Sequence, residues 1–194
     1  MKTFRLVTWS LCAVLLVVIV FLWPKGAELP VSGVADIGGE YSMISAQGVT
    51  VTEKSFPKKA KLMFLGFTNC PDVCPTTLSE ISNWLKLLGN DAAKLQPIFV
   101  TADPERDTIE VLKQYVGYFD SRIVALRPSM QQLDQFVKDF KIYYKKGPVQ
   151  DGGYSVDHTA SILLFRKDNS FFGTIDFHEK GEVAIAKLRR LLAN

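Results

Sequence analysis

Residues 67–75 read FTNCPDVCP, and they join an apolar run to the predicted first turn of a helix. The preceding run, residues 62–67, is nearly continuously apolar, which is typical of a central strand buried on both faces. Within residues 75–88, apolar side chains recur at helical spacing. The stretch therefore places two cysteines, Cys70 and Cys74, where a buried strand ends and a helix begins.

The flanking prolines suggest how this helix starts. Pro75 is expected to be its first residue, because the N–H that proline lacks would have no helical partner there. Cys74 would then be the N-cap, and the helix dipole and free backbone N–H groups would lower the pKa of its thiol. Thiols of low pKa act as nucleophiles and as metal ligands. Three residues separate Cys70 from Cys74, whereas the two-residue gap of Cys-x-x-Cys suits redox chemistry, and the pair alone leaves both roles open.

A third ligand could come from either of the two histidines, His158 and His178. Thiolates are soft ligands that prefer Cu(I), and one imidazole would complete a three-coordinate site. His158 directly precedes a predicted strand and follows a segment, residues 147–153, that we expect to form a loop. His178 lies among charged residues and is expected on the surface. A zinc site made of both cysteines and both histidines lacks the spacing of known zinc motifs.

Strands and helices alternate along the rest of the chain. Apolar alternation and turn residues predict further strands at residues 41–44, 49–51, 97–101, 123–126, 160–165 and 171–177. Possible capping pairs, Asp107 with Glu110 and Ser129 with Gln132, predict two more helices, and a closing helix is predicted at residues 181–192. A βαβ order followed by ββα, with a thiol pair at the first strand-to-helix junction, is the thioredoxin-like arrangement. We therefore expect an α/β fold with a mixed sheet and helices on both faces.

The N-terminal 25 residues have the composition of a membrane anchor. Lys2 and Arg5 precede residues 6–23, an apolar run that would span about 27 Å as a helix at about 1.5 Å per residue. No small-residue cleavage site follows, so we expect an uncleaved transmembrane helix rather than a cleaved signal peptide. The basic residues favour a cytoplasmic N-terminus, which places the main domain outside the cytoplasm. Since no long Arg-rich and Ser-rich presequence is present, a bacterial periplasm is expected in preference to the mitochondrial intermembrane space.

The predicted organisation is an anchor at residues 1–25, a linker at residues 26–36 and one domain at residues 37–194. The net charge of +3 belongs to the anchor, because its three basic residues are the whole excess over 20 acidic residues. A near-neutral domain gives no reason to expect nucleic acid as a partner. The third cysteine of the chain, Cys12, lies within the apolar run, so the domain carries only the pair already described.

Three segments closely resemble the signature segments of the Sco/SenC family. They are residues 66–75 (GFTNCPDVCP), 103–108 (DPERDT) and 154–159 (YSVDHT). The resemblance covers the chain from about Gly38 to the C-terminus. It implies a thioredoxin-like copper protein, tethered by one N-terminal helix, that assists assembly of the copper centre of cytochrome c oxidase. The implied partner is the copper-site subunit of that enzyme or another copper-handling protein, and the implied role is that of a metallochaperone.

Matched residue by residue, the resemblance implies copper ligation by Cys70, Cys74 and His158. Asp157 matches a family acid that can influence the Cu(II) form, although orienting its loop is an equal alternative. Arg106, in the second segment, is interpreted as bracing a nearby loop. The alternative function is thiol-disulfide oxidoreduction, in which Cys70 attacks and Cys74 resolves the disulfide of a copper-site client.

Overall fold

The computed structural model describes residues 37–149 and 153–193. Their elements in chain order are β1 (Ser42–Ser45), β2 (Thr50–Thr52), β3 (Ala60–Gly66), α1 (Val73–Leu87), a short 3-10 helix (Gly89–Lys94), β4 (Leu95–Thr101), α2 (Ile109–Gly117), β5 (Val124–Arg127), α3 (Met130–Asp139), β6 (Tyr144–Lys146), β7 (Val156–His158), β8 (Ile162–Phe165), β9 (Phe171–Ile175) and α4 (Gly181–Leu192). The predicted anchor and linker lie outside these residues. Within the described ranges, no helix is long and apolar enough to cross a membrane.

A seven-stranded mixed sheet has the strand order β2-β1-β5-β4-β3-β8-β9. Strands β3, β4 and β5 run parallel, because α1 and α2 carry the chain back between them. Strands β1 and β8 join this parallel core in the antiparallel direction. Every residue of β3 and β4 is buried, as expected for central strands covered on both faces. The predicted thioredoxin-like α/β sheet is confirmed.

Helices cover both faces of the sheet. Side chains alternate along β3, so Phe64 and Gly66 face the side on which Cys74 of α1 lies, and Met63 faces the other side. On that second face Met63 lines a small cavity together with Phe140, which directly follows α3. The chemistry-bearing cysteines and the helix α3 are therefore on opposite sides of the sheet.

Two predicted helix starts differ from the structure. Helix α1 begins at Val73 with Asp72 as N-cap, so the prediction that Cys74 is the N-cap is wrong. The backbone N–H groups of the whole first turn have no helical partner, so proline is tolerated at any position there. Pro75 therefore lies within the first turn of α1 without being its first residue. Helix α2 is capped by Thr108, whose side chain accepts from Val111 N at 3.3 Å, rather than by Asp107.

The predicted capping pair at α3 is confirmed. Ser129 accepts a hydrogen bond from Gln132 N at 3.2 Å, and Gln132 Oε1 accepts one from Ser129 N at 2.7 Å. The pairs Asp107–Glu110 and Ser129–Gln132 have the same sequence spacing. They differ because the Ser129 side chain has no buried partner that competes with capping. Asp107 has such partners in the core, the side chains of Thr68 and Thr101.

An unpredicted element is a separate two-stranded sheet formed by β6 and β7. The strands are antiparallel, and Tyr144 lies opposite His158. His158 is therefore the last residue of a short strand that the sequence did not predict. Of the intervening segment predicted as a loop, residues 150–152 lie outside the described ranges.

Candidate metal centre

Three side chains from separate parts of the fold converge on one point. Cys70 comes from the connection after β3, Cys74 from the first turn of α1, and His158 from the end of β7. Their two sulfur atoms and one ring nitrogen all lie within 4.8 Å of one another. Both thiols are free, and the backbone N–H of Cys74 donates to Cys70 Sγ at 3.4 Å. The structure thus brings together the three residues predicted as ligands.

His158 presents one particular nitrogen to the cysteines. Its Nδ1 lies 3.0 Å from the carbonyl oxygen of Thr159, which can only accept a hydrogen bond, so Nδ1 carries the proton. Nε2, with its lone pair, then lies 3.6 Å from Cys74 Sγ. The ring edges of Phe64 and Phe67 pack around the imidazole, with centroids 5.9 and 5.8 Å away. Burial lowers the pKa of His158 and favours the neutral imidazole, which is the form that binds metal ions.

Cys74 is completely buried, at 0% exposed. The absence of a side chain at Gly66 provides the space, because a Cβ there would lie 2.8 Å from Cys74 Sγ and 2.7 Å from Phe99 Cε2. Burial raises the pKa of the Cys74 thiol, so the prediction of a lowered pKa is wrong. The desolvation of a buried thiolate outweighs the help of the helix start. Without a metal, Cys74 is a neutral thiol.

Asp107 holds the loop that carries Cys70. Its buried carboxylate accepts hydrogen bonds from Thr68 N at 3.1 Å and from Thr68 Oγ1 at 2.6 Å. It also accepts one from Thr101 Oγ1 at the end of β4. Burial raises the pKa of this carboxyl group, and the hydroxyl donors oppose that shift. The sequence signal was the DPERDT segment itself, but the spacing of Asp107 and Glu110 indicated only a helix cap.

Arg106 braces the strand that bears His158. Its Nη1 donates to the carbonyl oxygen of Tyr154 at 2.9 Å, and its guanidinium lies 3.7 Å from the centre of the Tyr154 ring. Arg106 also forms an ion pair with buried Asp103, which accepts a hydrogen bond from the Tyr154 hydroxyl at 2.8 Å. The predicted bracing role of Arg106 is confirmed by these contacts.

Two further predicted residues lie outside the ligand group. Asp157 is exposed and pairs in register with Lys145, so its accessory role toward Cu(II) stays a prediction. His178 is exposed beside Phe177, which confirms its predicted surface position. Within the described ranges, the group that could hold a metal ion does not include His178, so the four-ligand zinc arrangement is not formed there.

The fold and site together define a thioredoxin-like protein with a two-cysteine, one-histidine group that could hold a metal ion. A family profile described as SCO1/SenC matches residues 30–193, and the chain belongs to this family. Over 145 residues it is 34% identical to the mitochondrial SCO1 homolog 1 of Arabidopsis thaliana, covering 74% of this chain and 43% of that protein. Over 137 residues it is 32% identical to an SCO2-like protein of Rickettsia prowazekii, covering 70% and 67%.

Solved structures of Sco proteins match the domain more completely. ScoI of Bradyrhizobium japonicum with copper bound has a TM-score of 0.74 and 40% identity, covering 80% of this chain and 99% of that chain. Yeast Sco1 with copper bound has a TM-score of 0.76 and 29% identity, covering 82% and 90%. The chain spans about half the length of the first curated relatives, 43% and 51% for those of Arabidopsis thaliana and Danio rerio.

Proposed function

We propose that this chain is a membrane-anchored copper chaperone that binds Cu(I) through Cys70, Cys74 and His158. The observation that carries the proposal is the convergence of two sulfurs and one unprotonated ring nitrogen within 4.8 Å. Soft thiolates with one imidazole suit Cu(I) better than harder ions. The copper-bound structures of the Bradyrhizobium japonicum and yeast relatives support the same cargo.

The residues have distinct tasks in taking up the ion. The thiols of Cys70 and Cys74 give up protons to solvent as their sulfurs bind the metal. His158 is already neutral and oriented by Thr159, so its Nε2 can bind without rearranging the ring. The rings of Phe64 and Phe67 pack around the imidazole and would limit access of water to a bound ion.

Copper stoichiometry of the reduced full chain tests this proposal. We expect one Cu(I) per chain in the parent and loss of tight binding in Cys70→Ser, Cys74→Ser and His158→Ala. His178→Ala removes the exposed histidine and serves as the matched control, with copper binding retained. Unchanged binding in both Cys70→Ser and His158→Ala would overturn the proposed ligand set.

The proposed destination of the copper is the copper centre of cytochrome c oxidase, as the Sco/SenC family membership implies. Residues 1–25 would anchor the chain in the bacterial inner membrane, and residues 37–194 would form the periplasmic copper-binding domain. Deleting the chain from its host should lower the copper content of the oxidase, and the His158→Ala variant should fail to restore it. Protease added outside the inner membrane should digest the domain, and protection of the domain would contradict this location.

Thiol-disulfide oxidoreduction is the second candidate function, favoured by the unequal placement of two free thiols. Cys70 is partly exposed and Cys74 is buried behind it. The Cys70 thiolate would attack a client disulfide, release one client thiol and form a mixed disulfide, which Cys74 would resolve to give a Cys70–Cys74 disulfide and a reduced client. His158→Ala should keep this reductase activity while losing copper, whereas a chaperone-only chain would reduce no client disulfide.

A further inference from the structure

Two tyrosine hydroxyls in the described part of the chain are buried without a hydrogen-bond partner. They belong to Tyr41, which precedes β1, and to Tyr115 in α2. Burying a hydroxyl without a partner costs free energy, so such a group in a folded protein needs an explanation. One explanation is a hydrogen-bond partner that becomes available only in another state of the protein. The surroundings of Tyr115 offer such a partner, and those of Tyr41 do not.

Tyr115 is connected to the surroundings of the buried cysteine through one aromatic ring. Its ring packs on Phe99, with centroids 5.8 Å apart. Phe99 and Cys74 both approach Gly66 closely. A Cβ added at Gly66 would lie 2.7 Å from Phe99 Cε2 and 2.8 Å from Cys74 Sγ. The Phe99 ring therefore packs against Tyr115 and also lies near the Cys74 sulfur at Gly66.

The phenol is also within the electrostatic field of the site. Burial raises the pKa of Tyr115, and thiolates at the two cysteines or the Asp107 carboxylate would raise it further. The hydroxyl therefore keeps its proton and remains a donor when both sulfurs are thiolates. A neutral thiol sulfur is a weak acceptor, whereas a hydrogen bond to an ionised group is roughly twice as strong as a neutral one.

We propose that Tyr115 is a positioning residue for the bound metal, donating a hydrogen bond from its hydroxyl to the Cys74 sulfur in the metal-loaded site. This inference rests on the proposed copper-binding function. As Cu(I) binds, a sulfur–copper bond forms, the Cys74 S–H bond breaks and the proton leaves to solvent. The negative sulfur then supplies the partner that the hydroxyl lacks in the metal-free chain.

Tyr41 supplies a matched control on the opposite face of the sheet. Its ring packs against Phe136 and Phe140, each at 6.2 Å, and it lines a small cavity with Lys61 and Met63. Its hydroxyl is buried and unpartnered like that of Tyr115, but the face that it occupies carries neither cysteine of the site. Replacing each tyrosine by phenylalanine removes the same atom in two different settings.

The test compares Tyr115→Phe and Tyr41→Phe in the full chain. Chelator competition should show that Tyr115→Phe still binds one Cu(I) but about tenfold more weakly, as is usual for loss of a group that supports a metal ligand. Urea unfolding of the metal-free chain should show Tyr115→Phe at least as stable as the parent, because its hydroxyl has no partner there. Tyr41→Phe should keep both metal-free stability and copper affinity. The sulfur-to-Cu(II) absorption band should shift only in Tyr115→Phe.

Equal copper affinity and an unshifted band in Tyr115→Phe would overturn the inference while leaving copper binding by the parent intact. Lower metal-free stability with unchanged affinity would assign the hydroxyl a structural role and would overturn it equally. Absence of copper binding in the parent itself would instead refute the proposed function, and the inference with it. Copper binding by the parent separates the third outcome from the first two, and the metal-free stability of Tyr115→Phe separates the first two from each other.

Discussion

At the scale of single residues, Asp107 connects the segments that form the site. Its carboxylate accepts from the backbone and side chain of Thr68 and from the side chain of Thr101. Thr68 precedes Cys70 by two residues, and Thr101 ends β4. One buried acid thus fixes the cysteine loop to the neighbouring strand.

Asp107→Ala should destabilise the chain by about 1–3 kcal/mol, because the Thr68 N–H loses its buried acceptor. Urea unfolding of the metal-free chain measures this free energy. Asp176→Ala is the control, since Asp176 is exposed and accepts from Ser161 at the surface, and it should change stability by less than about 0.5 kcal/mol. Equal effects of the two substitutions would show that the Asp107 contacts contribute little.

Gly66→Ala tests the space that accommodates Cys74. The added methyl would stand 2.7 Å from Phe99 Cε2 and 2.8 Å from Cys74 Sγ, so we expect destabilisation of about 1–3 kcal/mol from overpacking together with weaker copper binding. Gly117→Ala, at the end of α2, meets nothing within 4 Å and should leave stability equal or higher. Unfolding midpoints in urea distinguish the two, and an unperturbed Gly66→Ala variant would contradict the close approach.

The ligand residues were predictable but their ionisation was not. Cys70, Cys74 and His158 carry chemistry that the sequence shows directly, and the thioredoxin-like order predicts which loops meet. The raised pKa of Cys74 depends on how completely Gly66 and Phe99 enclose its sulfur, which is a packing outcome between strands distant in sequence. The position of Cys74 near the start of a helix alone had predicted a lowered pKa.

At the scale of elements, the sheet of β6 and β7 determines where His158 lies. The second strand is held from outside the sheet, because Arg106 contacts Tyr154 just before β7 and pairs with Asp103. Both strands have only three residues, and β6 reads YKK. Such a short polar strand has no apolar alternation, which is why the sequence did not predict this sheet.

Arg106→Lys should loosen β7 while leaving the main sheet in place. Lysine keeps the charge opposite Asp103 but lacks the planar guanidinium that contacts the Tyr154 ring and carbonyl together. Hydrogen exchange of the amides in residues 154–158 should become faster, and the exchange of β3 amides should not change.

Arg122→Lys is the matched control for that substitution. Arg122 pairs with Asp120 near the surface, where an ion pair contributes at most about 1 kcal/mol. Exchange in residues 154–158 should therefore match the parent. Equally slow exchange in the Arg106→Lys variant would mean that the strand pairing alone holds His158.

At the scale of the whole molecule, the two faces of the sheet hold different kinds of buried polar group. One face carries the candidate metal-binding group, and the other carries Lys61, which is only 2% exposed and donates to Asn169 Oδ1 at 2.6 Å. The alternating order of strands and helices predicted this two-sided sheet. A buried lysine within a β-strand was not predicted, because its acceptor is supplied by a turn more than 100 residues later in the chain.

Lys61 makes the stability of the whole domain depend on alkaline pH. Burial lowers its pKa below the ordinary value of 10.5. Between the lowered and the ordinary pKa the unfolded chain holds a proton that the folded chain has released, so stability should rise as pH increases toward 10.5. Urea unfolding across this range should show the rise in the parent and not in Lys61→Met. Lys113→Met, at an exposed lysine of α2, should retain it.

The unequal accessibility of the two sulfurs sets an order for ligand exchange. Cys74 is 0% exposed, whereas Cys70 is only partly buried. If copper binds as proposed, a donor atom from another protein would reach the ion from the Cys70 side and replace that ligand first. Cys74, whose sulfur is enclosed, would then be the later of the two cysteines to release the ion.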